Sequence, residues 1–140
     1  MNVITVAAAI ILNEQQQLLL VRKQNTSCFM QVGGKLEVNE TAEQAMLREI
    51  REEIGCEASI DTFIGRFETP TANEPDHLLV SYVYFVELNG APHIDAEIAE
   101  MQWIDVVETS ITSSIALAPL TQDVVIPWVR QYYKQHALTS

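Results

Sequence analysis

Three glutamates, Glu49, Glu52 and Glu53, stand in the stretch GKLEVNETAEQAMLREIREEIGC. On a helix, residues three and four apart share a face, so these carboxylates gather on one side. Like charges so placed destabilise a bare helix by a few tenths of a kcal/mol, about 0.2–0.5 per pair, and a bridging cation reverses that sign. Clustered hard oxygens suit Mg²⁺ or Mn²⁺ rather than zinc or copper. Just upstream, Gly33 and Gly34 let the backbone approach a ligand closely, and Lys35 can meet phosphate as a point charge. Arg48 can orient Glu49 or neutralise part of the cluster. Together these residues describe a metal–phosphate site. Taken singly, each has a plainer reading. An acidic helix face is usually solvated, a glycine pair is usually a turn, and Arg48 pairs with Glu52 at i, i+4.

The elements that must carry these residues are legible from pattern. Thr41–Ile54 is the clearest helix: Thr41 with Gln44 makes a capping box, and Gly55 stops it. Leu47, Ile50 and Ile54 form its apolar stripe and should pack on a sheet. Val3–Leu12 and Leu18–Arg22 are apolar runs around the polar turn Asn13–Gln17, and they predict a hairpin of buried strands. Phe29–Val32, Ile60–Glu68, Leu78–Leu88 and Met101–Asp105 are further strand candidates, with a loop over Thr69–His77. Thr121–Gln135 predicts a helix kinked or started at Pro127. Within it, Asp123–Tyr133 either covers the sheet or forms the surface of a homodimer. Mixed strands and helices predict an α/β (α+β) sandwich with a mixed β-sheet.

Bulk properties bound the partners. The chain has 140 residues, 48% of them hydrophobic and 19% charged, which predicts one globular domain over 1–140. Eight basic residues against nineteen acidic ones give a net charge of −11. That disfavours a nucleic-acid polymer or an anionic membrane as partner. Cys28 and Cys56 show no zinc-ligand spacing, and no basic residue precedes Arg22, as a secretory leader requires. The expectation is a cytoplasmic protein with reduced thiols.

The stretch from Gly34 to Cys56 resembles the signature of the Nudix hydrolases, the MutT-type nucleotide pyrophosphohydrolases: G-x5-E-x7-R-E-U-x-E-E-x-G-U, with U aliphatic. The fixed positions here read Gly34, Glu40, Arg48, Glu49, Ile50, Glu52, Glu53, Gly55 and Cys56. Seven exact residues at fixed spacing arise by chance far less than about once in a million positions. Cys56 is a small apolar stand-in for an aliphatic residue, and Val32 stands where many members have proline. The resemblance implies a Nudix-type α/β/α sandwich. It also implies divalent-metal-dependent hydrolysis of a nucleoside diphosphate linked to another moiety, with Mg²⁺ or Mn²⁺ as cofactor. By that carry-over, Glu49, Glu52, Glu53 and the Gly33 carbonyl hold metal, and Glu97, with Glu100 as alternative, adds a later ligand. Arg48 orients Glu49, Glu40 lies near the metal shell or anchors the loop, and Lys35 touches phosphate or the attacking water. Glu53, Glu49 or a glutamate of a later loop serves as general base.

Substrate choice lies outside the signature. Arg22 and Lys23, ending the second strand, can meet phosphate, or form a surface pair. Asn73 in the loop TPTANEPDH can read a base edge, although turns also favour Asn. Phe29, Phe67 and Tyr82 can stack on a base or belong to the core. The first expectation is a small-molecule nucleotide, a nucleoside triphosphate in standard or oxidised form, cut to monophosphate and pyrophosphate. Pro70, fourteen residues after Cys56, keeps ADP-ribose or a nucleotide sugar as the alternative. A non-catalytic nucleotide-sensing domain is a third reading.

Overall fold

A computed structural model describes residues 2–72, 74–106 and 115–137. In chain order the elements are β1 (Asn2–Ile11), β2 (Leu18–Lys23), β3 (Val32–Lys35), α1 (Ala42–Ile54), β4 (Glu57–Pro70), β5 (His77–Asn89) and β6 (Ile98–Ile104). A π-helical turn (Thr121–Val125) then leads into α2 (Ile126–Ala137). A four-stranded sheet runs β3-β1-β5-β4, and a two-stranded sheet pairs β2 with β6. β1 is parallel to β5 and antiparallel to β3, so the larger sheet is mixed.

The alternation of side chains along a strand explains the layering. Ala7, Ala9 and Ile11 of β1 face a core shared with Ala45, Met46, Ile50 and Ile54 of α1. Ala8 and Ile10 face the opposite core, shared with Val125, Ile126 and Val129 at the C-terminal helix. β2 does the same, with Leu19 and Val21 on one side and Leu18 and Leu20 on the other. Strands buried on both faces read as continuous apolar runs. The result is the expected α/β/α sandwich, with α1 and α2 on opposite sides of the strands.

The sequence pattern misleads in three places. β1 and β2 do not form a hairpin; they share only an isolated bridge, Leu12 to Leu18. Both hydrogen-bonding edges of β1 are taken by β3 and β5, so β2 pairs with β6 instead. Phe29 and Met30 make single bridges only, and β3 starts at Val32 and contains the glycine pair. β4 extends through Pro70, as an edge strand ending there allows. The last α-helix starts at Ile126, one residue before Pro127, in line with the expected start there, and a wide π turn precedes it. Pro127 lacks the N–H that an α-helical turn would need there, and Ile126 N bonds back to Thr121 O.

Candidate active site

α1 sets the site. Thr41 Oγ1 accepts from Gln44 N at 3.1 Å, and Gln44 Oε1 accepts from Thr41 N at 2.9 Å. The box fixes where the helix starts, and therefore which way Arg48, Glu49, Glu52 and Glu53 point. Gly55 ends it in the left-handed region at φ 68°, where a glycine meets no Cβ penalty. The chain beyond β5 then straps the helix end: His93 N donates to Ile54 O and Asp95 N to Glu53 O, each at 3.0 Å.

The glycine pair serves close approach rather than a turn. A Cβ on Gly33 would sit 2.1 Å from the Ala7 carbonyl oxygen on β1. A Cβ on Gly34 would sit 2.6 Å from Glu49 Cδ. Gly33 thus lets β3 lie against β1, and Gly34 leaves room for the Glu49 carboxylate.

Arg48 is the hub. Its Nε and Nη2 donate to Glu40 Oε2 and Oε1 at 2.8 and 2.9 Å, a two-pronged grip. Nη1 donates to Glu49 Oε1 at 2.6 Å and to Glu52 Oε2 at 3.2 Å, and Nη2 to the Lys35 carbonyl at 3.2 Å. The guanidinium holds the Glu40 carboxyl down at about 2, and the Glu40 carboxylate in turn raises the Arg48 pKa. Glu53 is the opposite case. It is 4% exposed, and burial pushes its carboxyl up to about 8. Lys23 Nζ, 3.4 Å from Glu53 Oε2, pulls the other way, while neighbouring Glu49 adds to the rise. Gly33 N donates to Glu53 Oε1 at 3.2 Å.

These contacts bear on cation binding. Glu49 lies close enough to Glu53 for its negative charge to add to that rise, and a cation bound beside the pair would offset it. Among the described residues no three His, Cys, Asp or Glu side chains converge to cage an ion, and half-exposed Glu52 leans on Arg48. Mg²⁺ does not require such a cage, because it keeps several waters and takes one or two carboxylates plus substrate phosphates. The donor set fits a hard divalent cation.

A cleft of about 250 Å³ opens beside this pair. Lys23, Gly33, Gly34 and Lys35 line one end of it. Arg22 does not line it: its guanidinium bonds Glu100 Oε1 at 2.7–2.8 Å and the Thr26 carbonyl at 2.8 Å. Glu97 sits in the turn before β6, where its carbonyl accepts from Gln24 N at 2.7 Å, beside Lys23. Its carboxylate makes no ion pair or hydrogen bond among the described residues. Asn73 lies outside the described residues, although Ala72 and Glu74 on either side line the cleft. Phe29 and Phe67 pack into the α2-side core, and Tyr82 lies against the α1-side core. Sequence reasoning passed over Gln31 and the Ala118–Leu120 segment, which complete the wall. The available signal was a lone amide, Gln31, inside the apolar run from Phe29 to Val32.

The chain matches the family profile described as NUDIX domain over residues 1–129. It belongs to the Nudix family. Nudix hydrolases generally use divalent metals such as Mg²⁺ or Mn²⁺. A Bacillus subtilis protein provisionally named an 8-oxo-dGTP diphosphatase is 33% identical over 100 residues, 70% of this chain and 64% of that one. An ADP-ribose pyrophosphatase of Methanocaldococcus jannaschii is 31% identical over 83 residues, 57% of this chain and 48% of that one. The chain therefore spans about half to two thirds of these curated relatives. The solution structure of the E. coli ORF135 protein superposes with a TM-score of 0.70 at 24% identity, covering 99% of this Nudix chain and 94% of the other. At that identity it supports the shared fold alone. No described helix of this Nudix chain is long and apolar enough to cross a membrane.

Proposed function

We propose that this Nudix domain hydrolyses a nucleoside triphosphate, in standard or oxidised form, to monophosphate and pyrophosphate. The observation that carries the reading is buried Glu53, with Lys23 at 3.4 Å and partly buried Glu49 beside it, next to a cleft of about 250 Å³. Glu49 and Glu53 would hold Mg²⁺ or Mn²⁺, joined by Glu52, the Gly33 carbonyl and Glu97. The bound cation would lower the pKa of water and offset charge on the phosphates. Glu53 accepts the proton released as water attacks phosphorus, with Glu49 as the alternative base. Lys23 and Lys35 oppose phosphate charge from the cleft wall. Arg48 keeps Glu49 in place and is itself steadied by Glu40. The signature holds no Ser or His, and its one cysteine, Cys56, is buried with its thiol pKa pushed up, so the displacement is direct.

The Bacillus subtilis relative favours an oxidised purine triphosphate as substrate. The Methanocaldococcus jannaschii relative supports ADP-ribose as the second reading. A panel of (d)NTPs, oxidised (d)NTPs, ADP-ribose and nucleotide sugars, with Mg²⁺ or Mn²⁺ and product chromatography, tests both. Monophosphate plus pyrophosphate is expected. AMP plus ribose phosphate shifts the reading to ADP-ribose. Nucleotide binding without turnover of any of them overturns hydrolysis in favour of sensing.

A further inference from the structure

The far wall of the cleft carries a polar group that the phosphate chemistry does not use. Gln31 lines the cleft and is 4% exposed. Thr121, fully buried at the start of the π turn, donates from Oγ1 to Gln31 Oε1 at 3.0 Å. The oxygen end of the amide is thereby engaged, and the other end is Nε2, a donor only. Nε2 has no partner among the described residues. Nearly all buried donors in native proteins are paired, so one left open beside a cleft points to an acceptor on a ligand.

Two further orphans lie nearby. Ser81 Oγ and Thr69 Oγ1 are buried and have no partner among the described residues. Thr69 stands opposite Leu79, which lines the cleft, and Ser81 follows Leu79 by two residues on the same face. Three such orphans therefore gather on one side of the molecule. The remaining wall there is apolar, with Ile4, Val6 and Leu120. Apolar walls with a few placed polar groups suit a flat heterocycle better than a polyhydroxylated sugar.

We infer that Gln31 is a specificity-determining residue whose Nε2 donates to a ring carbonyl oxygen of a nucleobase seated in this part of the cleft. The inference rests on the nucleotide reading above and adds to it a preference for oxo-bases. An exocyclic amine at the same place sets donor against donor and leaves the amide unpaired. The Thr121 hydroxyl holds the amide in the orientation that makes this choice.

Inosine and adenosine nucleotides differ at purine position 6, carbonyl against amine, and so isolate the contact. Wild-type kcat/KM is expected to favour ITP over ATP by about ten- to a hundred-fold, the cost of leaving one buried donor unpaired. Gln31→Leu should bring that ratio to near one. Gln31→Glu, which offers only acceptors when ionised, should lower or reverse it. A second readout does not depend on turnover: the ¹⁵N side-chain amide signal of Gln31, assigned by its loss in either variant. Its shift should respond to IMP and not to AMP. Hydrolysis of both triphosphates at equal rates, with an amide that ignores IMP, overturns the inference and leaves the hydrolase reading standing. No hydrolysis of any triphosphate, with an amide that still responds to IMP, upholds the inference and overturns the hydrolase reading. Should Gln31→Leu fail to fold, the wild-type ratio, the Gln31→Glu protein and the amide signal decide.

Discussion

Arg48 and Glu40 are joined by two parallel hydrogen bonds, 2.8 and 2.9 Å, across eight residues of sequence. The fork ties the loop before α1 to the middle of the helix, and the same guanidinium reaches Glu49 at 2.6 Å. One planar cation therefore fixes the loop and a candidate metal-binding carboxylate together. A lysine can supply the charge but not the fork. Arg48→Lys is expected to fold and to lose about a hundred-fold in kcat, because a misplacement near 1 Å can cost that much. Circular dichroism and steady-state rates on the same preparation check it.

Glu40 should also shape the acid limb of stability. Its folded carboxyl sits at about 2 against an ordinary 4.5. A depressed pKa contributes stability that is present above the ordinary value and is lost as pH falls toward the folded one. The contribution should therefore fade between about pH 4.5 and 2. Urea midpoints measured across that window should fall less steeply in Glu40→Gln than in the wild type.

The two glycines should fail differently. Alanine at Gly33 drives a Cβ to 2.1 Å from backbone on β1, which cannot move without opening the sheet. A loss of about 2–3 kcal/mol is expected, with overpacking as its cause. Alanine at Gly34 meets only the end of the Glu49 side chain, which can swing aside. Gly34→Ala should keep most of its melting temperature and lose activity. Thermal melts set beside turnover numbers separate the two outcomes.

Glu53→Gln should abolish most turnover, by more than about a hundred-fold, while the protein stays folded. Substitution at Glu97 should cost less if its exposed carboxylate joins only when cation and substrate are present. Wild-type rates in Glu53→Gln would sink the proposed chemistry.

Much of this site was legible in the sequence because its grammar is local. Thr41, Gln44 and Gly55 announce α1 through bonds made within a few residues, and the carboxylate spacing follows from the helix. What could not be read depends on distant partners. β1 and β2 are apolar on both faces, so either could have sat beside the other, and their flanking strands decide. Arg22 was as eligible as Lys23 for the cleft until Glu100 on β6 claimed it. The strap from His93 to Asp95 leaves no local pattern at all, since backbone amides make it. Gln31 is a lone amide in the run Phe29–Val32, and only Thr121, ninety positions on, gives that amide an orientation.

The first strand of the chain is the second of four in its sheet, and its parallel partner β5 begins 75 residues later, Asn2 lying opposite His77. During synthesis, β1 can find β3 early but must wait for β5, and the Asp95 strap that closes the helix end follows later still. Loop closure over such a span is entropically costly and slows folding. Until β5 emerges, an apolar strand edge stays open to other chains, so newly made protein is at its most aggregation-prone while still on the ribosome.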